Sequence, residues 1–134
     1  MQVLAARRFS QGEGRFLATN RPRLDGDWLD LLEGAARGTL GDVTPAWKKE
    51  AAVCVVMAAG GYPGSYPKGL PITGVEAAES RGALVFHAGT ERGEEGYVTS
   101  GGRVLGVTAL GDGIAGAREN AYAAVGEINW NDEH

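Results

Sequence analysis

The side chains whose type and spacing could do chemistry gather around two glycine-rich stretches. In Gly60-Gly61-Tyr62-Pro63-Gly64-Ser65-Tyr66-Pro67-Lys68-Gly69, glycines permit positive φ and close backbone approach, while prolines fix φ near about −65°. Such a loop is shaped, and it can bring backbone N–H groups to an anion. Further on, Ser100-Gly101-Gly102 leads into Arg103, whose forked guanidinium suits a phosphate or a carboxylate. Tyr62, Lys68, His87 and Arg103 are therefore the candidate substrate-binding side chains, expected toward one edge of a sheet, with Lys68 and Arg103 supplying positive charge. The backbone at Gly60, Gly61, Gly64, Gly101 and Gly102 would approach the same ligand. On residue type alone, a solvent-facing lysine, a surface arginine and a structural histidine within an apolar strand are the commoner cases.

The chemistry that is missing is equally informative. Ser65, Ser80 and Ser100 lack a G-x-S-x-G frame, so no catalytic nucleophile is expected. The loop does not meet G-x-x-x-x-G-K-[ST], and no G-x-G-x-x-G opens a helix. His87 and His134 form no H-x-x-x-H pair, and Cys54 is the single cysteine, which excludes an internal disulfide and argues against a transition-metal site. Cys54 reads as a small core residue, in keeping with a cytoplasmic protein.

The net charge of −4 is uneven. Residues 1–23 carry five arginines against Glu13, a net +4, while the remaining 111 residues carry eight basic and sixteen acidic side chains. An acidic body without aromatic residues interleaved in a basic patch disfavours nucleic acid as a partner. The basic start has the charge of an organellar transit peptide but little of its serine, and a leader is the plainer reading of it. No apolar run approaches the roughly 20 residues that spanning a bilayer requires, so a soluble protein with no membrane partner is expected.

These residues must be positioned by short elements, as 22 glycines in 134 residues already imply. Ala51 to Ala59 is β-branched at its centre and uncharged, which predicts a strand buried on both faces. Ala83 to Gly89 is a second apolar strand, and Ile72-Thr73 a short one. Tyr97–Thr99 and Arg103–Leu110 flank residue types of a tight turn and are expected to pair as an antiparallel hairpin. Trp28, Leu31, Leu32 and Ala35 share one face of a helix capped by Asp25 or Asp27 and stopped by Gly38. Trp47 reads as a lid on the core, and Val75 to Glu79 as a turn of helix at most. Ile114, Ala117, Ala121, Val125 and Ile128 mark one face of a helix from about Asp112, its alanines suited to close packing on the sheet. Residues 1–20 have no sustained period, and no element is assigned there. Strands in the middle and helices at the ends make an α+β domain, a small antiparallel sheet with flanking helices.

The segments AAVCVVMAAGGYPGSYPKGLPITG, VFHAGT, TSGGRVLGVTALGD and ARENAYAAVGEINW closely resemble the carboxy-terminal domain of the phosphoribosylamine–glycine ligase (glycinamide ribonucleotide synthetase) family, in register from about Leu24 to Trp130. The resemblance implies an ATP-grasp enzyme of purine biosynthesis, joining glycine to 5-phosphoribosylamine through a glycyl phosphate with ATP and magnesium or manganese. It also implies that this domain closes over the cleft of the grasp domain. The family's E-F-N-x-R-F-G-D-P-E segment, whose acid and asparagine hold the metals, has only a faint echo here in Gly14-Arg15-Phe16.

The expected organisation is thus an unassigned leader at 1–23, unrelated to the family, and a ligase domain at 24–134 truncated at its end. The amino-terminal and ATP-grasp domains would be its missing partners. Two functions stand. One is the cleft-closing domain of the ligase, inactive alone and with no cofactor bound to this chain by itself. The other is a stand-alone, non-catalytic module that binds a small anion or a protein.

Overall fold

Val53, Val55 and Met57 alternate along the chain with Cys54, Val56 and Ala58, and a strand with apolar residues on both sides can sit only at the centre of a sheet. The computed structural model describes the backbone of residues 2–5 and 15–130, with side chains from Ala18 onward, and there β2 (Ala51–Ala58) does hold that place. A four-stranded antiparallel sheet runs in the order β1 (Gln2–Ala5), β2, β6 (Arg103–Gly111), β3 (Leu84–His87). Val53, Val55 and Met57 lie opposite Ala109, Val107 and Leu105. Helix α4 (Gly113–Val125) covers that face through Ala117, Ala121, Ala124 and Val125, all buried. The alanine spacing works because Gly111 has no side chain: a Cβ there would overlap the backbone of Gly116 and Ala117. Ile114, read as part of the same face, is instead 74% exposed, since it lies in the first turn beyond the sheet-covering residues.

The sequence reading of a 97–110 hairpin is corrected. β5 (Tyr97–Thr99) pairs with β4 (Thr90–Arg92) in a separate two-stranded ribbon, and β6 pairs with β2 and β3. Ser100-Gly101-Gly102 passes the chain from ribbon to sheet. Both Ser100 N and Gly101 N donate to Gly89 O, at 2.8 and 3.0 Å. Neither Gly101 nor Gly102 adopts positive φ. These glycines serve close approach, because a Cβ on Gly89 would lie 2.7 Å from Gly101 Cα. The Ile72-Thr73 strand is likewise reduced to isolated bridges, Pro71 with Val98 and Thr73 with Asn129.

Helix α1 (Arg15–Asn20) and strand β1 occupy the part of the chain to which the sequence assigned no element. Helix α2 (Trp28–Arg37) begins at Asp27, whose Oδ1 accepts from Leu29 N at 2.8 Å, and ends at Gly38 in the left-handed region at φ 73°. Its apolar face is only partly covered: Trp28 and Leu31 are half-buried, Leu32 is 62% exposed, and Leu29, off that face, is 65% exposed, with only Gly34 fully buried. Trp47 is no lid on the core either, being 46% exposed and set edge-on to Trp28 with ring centroids 6.4 Å apart. Because α2 packs chiefly on the turn that follows it, Asp27→Ala is expected to cost the helix about 1 kcal/mol. Amide exchange across 28–37 should quicken while the melting temperature of the domain stays constant. Helix α3 (Val75–Ser80) is slightly longer than the single turn expected.

Candidate functional site

Strand alternation that sends Val53, Val55 and Met57 toward α4 sends Cys54 and Val56 to the other face. Gly106 stands opposite Val56 and Phe86 on the neighbouring strands. Among the described residues no helix as long as α4 covers that side, where the shorter α1 and the Arg21–Arg23 turn contact β2 and β6. A groove of about 1130 Å³ opens there, with Cys54, Val56, Phe86 and Gly106 on its floor and Trp28 and Leu32 of α2 on one wall. Tyr62, His87, Gly101, Gly102 and Arg103 border it as well. A smaller cavity of about 640 Å³ adjoins it and shares Arg21, Trp28 and Phe86.

Three of the four expected side chains, Tyr62, His87 and Arg103, therefore share the groove. Lys68 does not line it. Lys68 is exposed, and just after it the loop meets the ribbon, where Gly69 N donates to Thr99 O at 2.6 Å and Leu70 N to Thr99 Oγ1 at 3.1 Å. Gly60, Gly61 and Gly64 are also outside the lining, and their part is to shape the loop that carries Tyr62. Gly61 sits at φ 90° with Ser65 O against the position a Cβ would take, and Tyr62 N donates to Ala59 O at 3.1 Å. The Tyr62 ring then lies over Gly102, where a Cβ would overlap it and come within 3.1 Å of the Tyr66 ring. Ala59 N donates to Gly102 O at 2.8 Å, so the two glycine-rich stretches are joined directly.

Arg21 was not singled out from the sequence, yet it lies at the groove with its guanidinium carbon 6.0 Å from the centre of the Phe86 ring. It follows α1 in a short 3-10 turn, Arg21–Arg23, and no motif marks it. The groove floor was more accessible to reasoning, since the alternation of Cys54 and Val56 against Val53 and Val55 implies a second apolar face. Among the described residues, the charged side chains lining the groove are arginines and none is a carboxylate. Among the described residues no three His, Cys, Asp or Glu side chains gather closely enough to hold a metal ion. The residues of this groove thus fit an anion and do not fit a divalent cation. Nor is any described helix long and apolar enough to cross a membrane.

Fold and groove define an α+β domain with one fully packed and one partly covered sheet face, small antiparallel sheets flanked by helices. The chain belongs to the phosphoribosylglycinamide synthetase family: the model for the family's C domain, "Phosphoribosylglycinamide synthetase, C domain", matches residues 52–134. It is 47% identical over 109 residues to phosphoribosylamine–glycine ligase of Vibrio cholerae, covering 81% of this chain and 25% of that protein. With the chloroplastic ligase of Arabidopsis thaliana it is 51% identical over 111 residues, covering 81% of this chain and 21% of the relative. The crystal structure of the ligase from Thermotoga maritima superposes with a TM-score of 0.64 at 33% identity, over 78% of this chain and 25% of that one. The chain spans about a quarter of the length of the relatives it matches.

Proposed function

We propose that this chain supplies the carboxy-terminal, cleft-closing domain of a cytoplasmic phosphoribosylamine–glycine ligase, with residues 24–134 as the ligase domain. On this reading it forms no glycinamide ribonucleotide by itself. The observation that carries this reading is a sheet face that α1 and the Arg21–Arg23 turn cover only in part. One side of β2 and β6 is sealed by α4, while the other presents a basic groove bordered by a helix whose Leu29 and Leu32 stand in solvent. An apolar helix face beside an open groove is suited to being one wall of a cleft whose other wall is a second domain. Amino-terminal and ATP-grasp domains would supply that wall, together with ATP and the magnesium or manganese, for which the described residues of this groove offer no carboxylate. Tyr62, His87 and Arg103 would face 5-phosphoribosylamine or the glycyl phosphate. Lys68 would act, if at all, from outside the groove.

A chimera tests this. The Vibrio cholerae ligase with its carboxy-terminal quarter replaced by residues 24–134 is expected to retain ATP-dependent synthesis of glycinamide ribonucleotide. Arg103→Ala in that chimera should raise the KM for phosphoribosylamine about tenfold, the loss expected for one charge-assisted hydrogen bond. A folded but inactive chimera would favour the stand-alone binding module instead.

A further inference from the structure

β1 and β3 are the two edges of the four-stranded sheet, and β3 has a strand on one side only. Residues of an antiparallel strand alternate between those that exchange bonds with the neighbour and those that turn N–H and C=O away from it. Ala88 N donates to Val104 O at 3.1 Å, which, with Phe86 in register with Gly106, places Leu84 and Phe86 on the bonding side. Val85 and His87 therefore turn their backbone groups outward. Among the described residues no hydrogen bond from a turn, a loop or a side chain reaches those groups. The devices that usually blunt an edge are missing, since Leu84-Val85-Phe86-His87 has no lysine, no proline and no bulge in its register with β6. Space is present as well: the cavity of about 640 Å³ lies along Leu84, Val85 and Phe86.

This edge is complementary to itself. With a second copy turned about a twofold axis through Phe86, Val85 of each chain faces His87 of the other, and every outward N–H of these residues meets an outward C=O. Such a pairing keeps each residue on its own sheet face, with Phe86 opposite its own copy and Leu84 opposite Ala88. The charges permit it too. The cavity beside β3 carries Arg21 and Lys48 against Asp27 and Glu79, so the edge is balanced in sign within a chain of net charge −4, and a copy turned onto it is not repelled. We propose that the open edge of β3 is a self-association surface, through which two copies of this chain join their sheets by antiparallel pairing of β3 with β3. A second copy is the occupant because the outward backbone groups, the apolar side chains and the charges each match their own image, as an interface with a twofold axis requires.

The test uses the 134-residue chain. In sedimentation equilibrium its mass should rise with concentration from that of one chain to that of two, and amide exchange at Val85 and His87 should slow about tenfold or more over the same range. Val85→Pro removes an outward N–H and no bond to β6, and should weaken association about tenfold. In a Cys54→Ala background, Phe86→Cys should form an interchain disulfide, because residues opposite each other in a non-hydrogen-bonded pair lie about 4.5 Å apart, within the roughly 4.4–6.8 Å that a disulfide spans. Leu84→Cys lies on the same face, at a position 41% exposed. It should not cross-link, since the two copies of residue 84 would stand roughly 13 Å apart. A chain that stays monomeric at every concentration overturns the proposal. So does a dimer whose Val85 and His87 amides exchange as fast as in the monomer, or one that links through Leu84→Cys and not through Phe86→Cys, for another surface then holds it. Amide exchange is read on the unsubstituted chain, so it decides even where a variant does not fold. Activity of the chimera, whichever way it falls, leaves this pairing untouched.

Discussion

Gly74→Ala is expected to lower the stability of the domain by about 2–5 kcal/mol, a large share of the roughly 5–15 kcal/mol typical of such domains. Two costs add. Gly74 sits at φ 81°, a left-handed conformation that costs a residue with a Cβ about 1–2 kcal/mol. The new Cβ would also overlap Glu127 O and lie 2.7 Å from Glu127 C and 3.3 Å from Ile128 Cα, all backbone-anchored positions. Overpacking of that kind adds about 1–3 kcal/mol because no rotamer change relieves it. The contact cannot simply open, for it lies beside the bridge that ties the chain after α4 to the start of α3. Thr73 N donates to Asn129 O at 2.8 Å and Asn129 N to Thr73 O at 3.1 Å, while Arg81 and Glu127 pair at 2.7 Å. Gly82→Ala is the control, since Gly82 has nearly the same φ, 84°, but nothing within 4 Å of its Cβ position. It should cost only the conformational part, about 1–2 kcal/mol. Urea midpoints of the two variants check the difference; equal losses would mean that the segment after α4 is not pressed against Gly74.

The same distinction explains which parts of this fold could be read from the sequence. β2, β3 and α4 declare themselves through runs of apolar residues whose period matches the element, and Asp27 and Gly38 declare the ends of α2. β4 does not, because Thr90-Glu91-Arg92 is short and lacks an apolar residue, and without it β5 was given the wrong neighbour. Ser100-Gly101-Gly102 has the composition of a turn, but a glycine required for close approach looks the same in sequence as one required for positive φ. Only the position of Gly89 across the gap separates the two. Tyr62, His87 and Arg103 line one groove, and that grouping was legible because they sit beside glycine-rich stretches that end or begin strands. Lys68 shares that neighbourhood, yet the loop runs on to the ribbon before reaching it. Arg21 carries no local signal, since it reaches the groove from the segment between α1 and α2. The amphipathic period of α2 was legible, but a period states that a face is apolar, not what covers it.

The second large effect concerns activity. Phosphoryl transfer from ATP depends on metal ions that bridge and neutralise the phosphates. The groove of this chain is lined by arginines, and no metal-holding cluster exists among the described residues. Positioning by a cleft wall multiplies a rate only when the other wall brings the reacting groups to it. The chain alone should therefore be inert, and the gain on adding the other domains should be the whole activity.

The most direct measurement is formation of glycinamide ribonucleotide from ATP, glycine and phosphoribosylamine, made three ways: with the purified chain, with the amino-terminal three-quarters of the Vibrio cholerae ligase, and with the two mixed. Product from the mixture alone is the result predicted here. ATP-dependent product from the chain by itself, or none from a mixture in which the two parts demonstrably associate, would contradict it.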